Sequence, residues 1–134
     1  MATTETDLYK STYTTQVVNR IAWAWTSDAS GNVTDATDIP VAGTLARVVF
    51  VPGTGGNAPT DLFDVTITDP AGIDVLSTQG ANLSATVASE ICPGIPLKDG
   101  TTTSTVPRLV NDVLTLNVSN AGNTKSGTVI LYFR

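Results

Sequence analysis

The 134-residue sequence has no histidine and a single cysteine, Cys92. Without histidine there is no Ser-His-Asp or Cys-His catalysis and no histidine-containing metal site. One thiol makes neither an internal disulfide nor a thiolate zinc cluster, so Cys92 reads as a small buried hydrophobe. No apolar run reaches about 18 residues, so no transmembrane helix is expected. The polar start, MATTETDLYKSTYTT, lacks the basic and apolar regions of a secretory signal, which predicts synthesis in a cytoplasm without processing. No GxxxxGK[ST] is present. Gly53-Thr54-Gly55-Gly56 follows an apolar run but leads to Pro59, with no helix behind it to cradle a phosphate.

Charge is scarce as well. Charged residues make up 14% of the chain, against roughly 25% in an average domain. The net charge is −5, and the seven basic residues (Lys10, Arg20, Arg47, Lys98, Arg108, Lys125, Arg134) stand singly. A nucleic-acid surface needs clustered cations to displace counterions, so none is expected. Good helix formers are few: three lysines, two glutamates and one methionine.

What fills the gap is threonine, serine, valine and glycine. β-branched residues favour strands, and Gly, Pro, Asn and Asp favour the turns between them. The length suits one domain with a real core. The clearest element is DLFDVTITDPAGIDVL, residues 61–76. Phe63, Val65 and Ile67 share one face of a period-2 chain, and Asp69-Pro70-Ala71-Gly72 is a tight-turn sequence. This predicts a β-hairpin with one buried face.

Residues 1–10 read as a loose polar arm. Residues 12–26, TYTTQVVNRIAWAWT, form a first long strand, with Val17, Ile21, Trp23 and Trp25 on one parity and small residues on the other. Val33–Ile39 suits an edge strand or loop. LARVVFV (45–51) and TVILYF (128–133) are apolar on both parities apart from Arg47, which fits central strands or strands covered by a partner chain. Residues 80–91 fit a short helical turn or an edge strand. Residues 92–107, with three prolines, read as a long surface loop that carries a short strand at most. Leu114, Leu116 and Val118 mark a further strand. The expected fold is all-β: an antiparallel β-sandwich, jelly-roll-like, of seven or eight strands. A flexible arm (1–10) precedes a single domain (11–134).

Catalytic groups are hard to assemble. Asp61, Asp64, Asp69 and Asp74 lie close in sequence, but a glycosidase needs two carboxyls facing across a cleft, one of them in an apolar setting. They read as solvated strand and turn aspartates. Asp69 to Asp74 offers oxygen ligands across a turn yet lacks the density of a calcium loop. No enzyme activity, metal or cofactor is therefore expected. Trp23 and Trp25 offer a platform for a sugar ring, as in a carbohydrate-binding host-attachment module, but their shared stripe with Val17 and Ile21 reads more simply as core or subunit interface. Arg20 and Arg47, set among apolar neighbours, suit either interface anchoring or an internal ion pair.

Five stretches taken together, IAWAWTSDASGNVTD, GTLARVVFVPG, DLFDVTITDPAGIDVL, the short NLS of residues 82–84 and LTLNVSNAGNTKSGTVILYFR, resemble a group of small virion proteins of tailed bacteriophages. The resemblance runs from Ile21 to Arg134 and rests on strand order and turn wording. It implies a capsid decoration (cement) protein, non-catalytic, working on the virion surface as a homo-oligomer, a trimer by expectation. The implied partners are the major capsid protein and further copies of the chain, with no membrane and no nucleic acid. A tail or neck component is the alternative. The candidate contacts are Arg20, Trp23, Trp25, Arg47, and Lys98, Thr102 and Val106 in the long loop.

Overall fold

The structure is a computed structural model that describes residues 2–10, 17–34, 37–96 and 105–134. Among the described residues eight strands succeed one another: β1 Ala2–Lys10, β2 Val17–Thr26, β3 Ile39–Pro52, β4 Asp64–Thr68, β5 Ser89–Ile91, β6 Gly94–Pro96, β7 Thr105–Ser119 and β8 Ser126–Phe133. All pairings are antiparallel, in the order β1-β2-β8-β3-β7-β4, with β5 beside β3 and β6 beside β7. The outermost strands, β1 and β4, do not pair with each other, so the sheet is open. This is the all-β, sandwich-like architecture that the alternation predicts, and the strand count lies within the expected range.

Two long strands fold the sheet over on itself. β3 pairs with β7 through Ile39–Leu45 and with β8 through Leu45–Pro52. β7 pairs in turn with β6, β3 and β4 along its length. A bulge at Ala46 marks the changeover in β3, where Leu45 and Arg47 oppose the consecutive residues Phe133 and Tyr132. An inserted residue shifts the side-chain parity by one. Leu45, Val48 and Phe50 consequently all face inward, at 1%, 0% and 2% exposure. The doubly apolar look of LARVVFV thus comes in part from a change of phase rather than from cover on both faces.

The core gathers Ile21, Trp23 and Trp25 of β2, Val129, Leu131 and Phe133 of β8, Leu114, Leu116 and Val118 of β7, and Phe63, Val65 and Ile67. The Trp25 and Phe63 rings meet at 5.7 Å with a 48° tilt. Trp25 also packs against Gly127, its cross-strand neighbour, where an added Cβ would stand 2.6 Å from the indole. Only glycine leaves room for that ring.

Three local expectations need correction. Residues 2–10 are a strand, not a loose arm: β1 runs antiparallel to β2 from Ala2 opposite Trp25 to Lys10 opposite Val17. Ladder hydrogen bonds do not depend on sequence, and an edge strand can be polar. The hairpin of residues 61–76 has a full outgoing arm, but its return is a single bridge, Asp74 to Thr68. Beyond that, Val75 and Leu76 are buried in a turn rather than in a strand. Cys92 is exposed, not buried. It sits just past β5 and lines a shallow depression with Val106 and Pro107 of β7.

The ambiguous segment 80–91 ends in the edge strand β5, and Val33 makes one bridge to Val118; the stretch 92–107, read as a loop with a short strand at most, holds β6 and also the first residues of β7, from Thr105.

Candidate binding surface

The aspartates of residues 61–74 are used by the backbone. Asp69 Oδ1 accepts from the amides of Ala71 and Ile73, both at 2.9 Å, which closes the tight turn. Asp74 Oδ1 accepts from Ile67 and Leu76 at 3.2 and 3.1 Å, and Oδ2 from Thr78 at 2.9 Å. Asp64 accepts from the Asn82 amide at 2.9 Å and the Asn120 side chain at 2.7 Å, and Asp61 from the Ala85 amide at 3.1 Å. Each carboxylate ties a turn to its neighbour, as short acidic side chains do in irregular chain. Among the described residues no group of three or more His, Cys, Asp or Glu is placed to hold a metal ion. No described helix is long and apolar enough to cross a membrane.

The other candidate surface is the outward side of the three central strands. β2, β8 and β3 lie in register, so their outward residues form three cross-strand rows. One row is Arg20, Tyr132 and Arg47; the next is Ala22, Ile130 and Val49; the third is Ala24, Thr128 and Val51. All but Arg47 and Val51 are half-buried, and Val51 is 38% exposed. The middle of this face is flat and apolar because two of its contributors are alanines. Arg47 at its border is exposed. It forms an ion pair with Glu90 of β5 and stands 5.1 Å from the centre of the Tyr132 ring. That combination fixes the guanidinium direction without burying it.

The candidate contact residues thus separate. Arg20 and Arg47 share one row of this outward face. Trp23 and Trp25, at 0% and 3% exposure, face inward and cannot touch a subunit or a sugar ring. The stripe they share with Ile21 is core, and the smaller residues of β2 hold the surface position instead. Val106, at 40% exposure, lies in β7 opposite Ile95 of β6 and is not in these rows. Lys98 and Thr102 fall outside the described residues.

Reading the sequence alone missed Ile130, Tyr132 and Val49, which complete the outward face, and Leu109 and Val113, which are 74% and 48% exposed on β7. Parity was the available signal. With Leu114, Leu116 and Val118 facing in, Leu109 and Val113 had to face out. Beside them Pro40, Val41, Ala42 and Pro70 line a shallow depression of about 410 Å³. No protein-family model, curated protein or solved structure matches this chain.

Proposed function

We propose that this is a non-catalytic structural protein of a bacteriophage virion, which binds and stabilises the capsid surface as a decoration protein and does so as a homo-oligomer. The observation that carries the reading is the outward face of β2, β8 and β3. The core is complete beneath it, yet Ala22, Ile130 and Val49 present a flat apolar centre on the strands that can least afford an open surface. Faces of this kind suit assembly, where a partner removes apolar area from water and bordering arginines set register. The turn wording and strand order that resemble phage virion proteins supply the kind of assembly. The net negative charge favours solubility before assembly and disfavours contact with packaged DNA.

Mass spectrometry and cryo-EM of purified phage particles test this directly. The chain is expected on intact heads in a symmetry-related copy number, and as an oligomer by light scattering. Its absence from particles, or its presence only in isolated tails, overturns the reading.

A further inference from the structure

Toward the start of β7 its inward side is interrupted by a charged residue. That side runs from Val110, 3% exposed, through Arg108, 8% exposed, to Val106, 40% exposed. Opposite Val106 stands Ile95 of β6, 39% exposed. A depression of about 250 Å³, lined by Cys92, Pro93, Gly94, Val106 and Pro107, opens at the same end. The core therefore gives way to a partly open apolar mouth, with a buried guanidinium at its border.

That guanidinium is poorly satisfied. Arg108 Nη2 donates to Ser77 Oγ at 2.8 Å and reaches the Gly94 carbonyl at 3.5 Å. Nε is sealed from solvent and has no partner. Among the described residues no carboxylate pairs with Arg108, whereas the exposed Arg47 has Glu90. A guanidinium has five N–H donors and stays charged. Burying it against neutral acceptors alone is costly, and a carboxylate is the group that fits its planar fork. Its position is also fixed. Ser77 sits at φ 53° and Thr78 at φ 65°, a left-handed pair held in place while Ser77 Oγ donates to Gly94 O at 2.5 Å.

We propose that Arg108 is the receptor for a carboxylate side chain of a partner protein, which docks at the β6–β7 end with Ile95 and Val106 as its apolar rim. The uncompensated charge specifies an acidic group. The exposed valine and isoleucine specify that it arrives on an apolar segment, which excludes water around the ion pair. The identity of the partner rests on the assembly reading above; the carboxylate site does not.

Two measurements test the proposal. The first is thermal unfolding of the full chain in sodium acetate, sodium phosphate and sodium chloride at matched ionic strength. Acetate is expected to raise the wild-type midpoint by about 2–4 °C over chloride, as mass action on a weak site gives. Arg108→Met is expected to melt at or above wild type in chloride and to lose the acetate shift. Arg108→Lys, which keeps the charge but not the fork, is expected to lose most of the shift and serves if the methionine variant does not fold. No acetate shift in wild type, or an equal shift in both variants, overturns the site. A shift with phosphate alone makes it a free-oxyanion site and overturns the carboxylate assignment. An acetate shift that is absent in wild type and emerges only in Asp99→Asn would mean that the chain's own acid fills the site, and would also overturn the proposal. The second measurement is occupancy on phage particles, where Arg108→Met is expected to fall at least about tenfold. Unchanged occupancy overturns the partner role. Failure of wild type itself to bind particles would instead overturn the capsid reading, leaving the acetate result to decide the site.

Discussion

The three central strands carry two faces built on one ladder. Inward, β2, β8 and β3 present Trp23, Trp25, Leu131, Val48 and Phe50, all nearly sealed from solvent. Outward, the same strands in the same register present Ala22, Ala24, Ile130, Thr128 and Val49. Backbone hydrogen bonding is common to both faces, so it cannot explain any difference between them. What differs is the second layer. The inward side is packed by β7, β4 and the turn that holds Val75 and Leu76, whereas the outward residues are half-buried or exposed. Substitutions inward should therefore change the stability of the isolated protein. Substitutions outward should change its associations.

The sharpest way to break that division is to empty the inward side. Leu131 is 0% exposed in the middle of β8. Leu131→Ala is expected to cost about 3–4 kcal/mol, the transfer of the lost carbons plus the cavity left behind. Urea unfolding monitored by tryptophan fluorescence measures it. A cost under about 1 kcal/mol would mean the core at this point is loosely packed, which close packing argues against.

Gly127→Ala tests the same side by crowding rather than by emptying. The new methyl would meet Trp25 at 2.6 Å. The indole is confined by Phe63 at 5.7 Å and has little room to retreat. A loss of about 2 kcal/mol is expected, together with a changed tryptophan emission as the ring shifts. Gly55→Ala is a useful reference, because its Cβ would meet nothing within 4 Å although its φ is +60°. Any cost there is backbone strain alone.

These strands also show how far a sequence can be read. The inward residues of β2, β8 and the second half of β7 follow from parity, because each strand alternates without interruption. β3 does not. The bulge at Ala46 changes its phase, and nothing in LARVVFV announces an inserted residue, since alanine is at home on either face. The tryptophans were legible as a core stripe, yet their size also invited an interface role, and only the position of the second layer decides between them. β1 was illegible for a different reason. Its residues are polar and it pairs with a single strand, so no hydrophobic pattern exists to reveal it. Arg108 was hidden too. A lone arginine in PRLVND looks like any surface cation, and its burial depends on the Ser77 turn and on Gly94, which are distant in sequence.

The outward face should answer differently. Ile130 sits between Ala22 and Val49 at the centre of the flat patch. Ile130→Asp is expected to cost the isolated protein only about 1 kcal/mol, since the position is half-buried and the strand keeps both its ladders. Its effect on assembly should be far larger: a shift to monomer mass in light scattering, and loss from particles. If the oligomer persists unchanged, the copies do not meet through this face.

The smallest stability effect is expected at the border of the same patch. Arg47 pairs with Glu90 across β3 and β5 and stands over the Tyr132 ring, but the two charged side chains are 50% and 60% exposed. Ion pairs as open as this are screened by salt and contribute little. Arg47→Ala should therefore change the unfolding free energy by no more than about 0.5 kcal/mol, and by less still at high salt. The interface contribution has the opposite prospect. If a partner covers the patch, it desolvates Arg47, Glu90 and Tyr132 together, and the same pair strengthens as water leaves. Arg47→Ala should then weaken association, and should flatten its salt dependence, while the monomer melts where wild type does. A variant that destabilised the monomer by 2 kcal/mol and left association intact would place Arg47 in the structural framework and remove it from the binding surface. Equal behaviour of Arg47→Ala and Glu90→Gln in the association assay would show that the pair, rather than either charge alone, is what the partner reads.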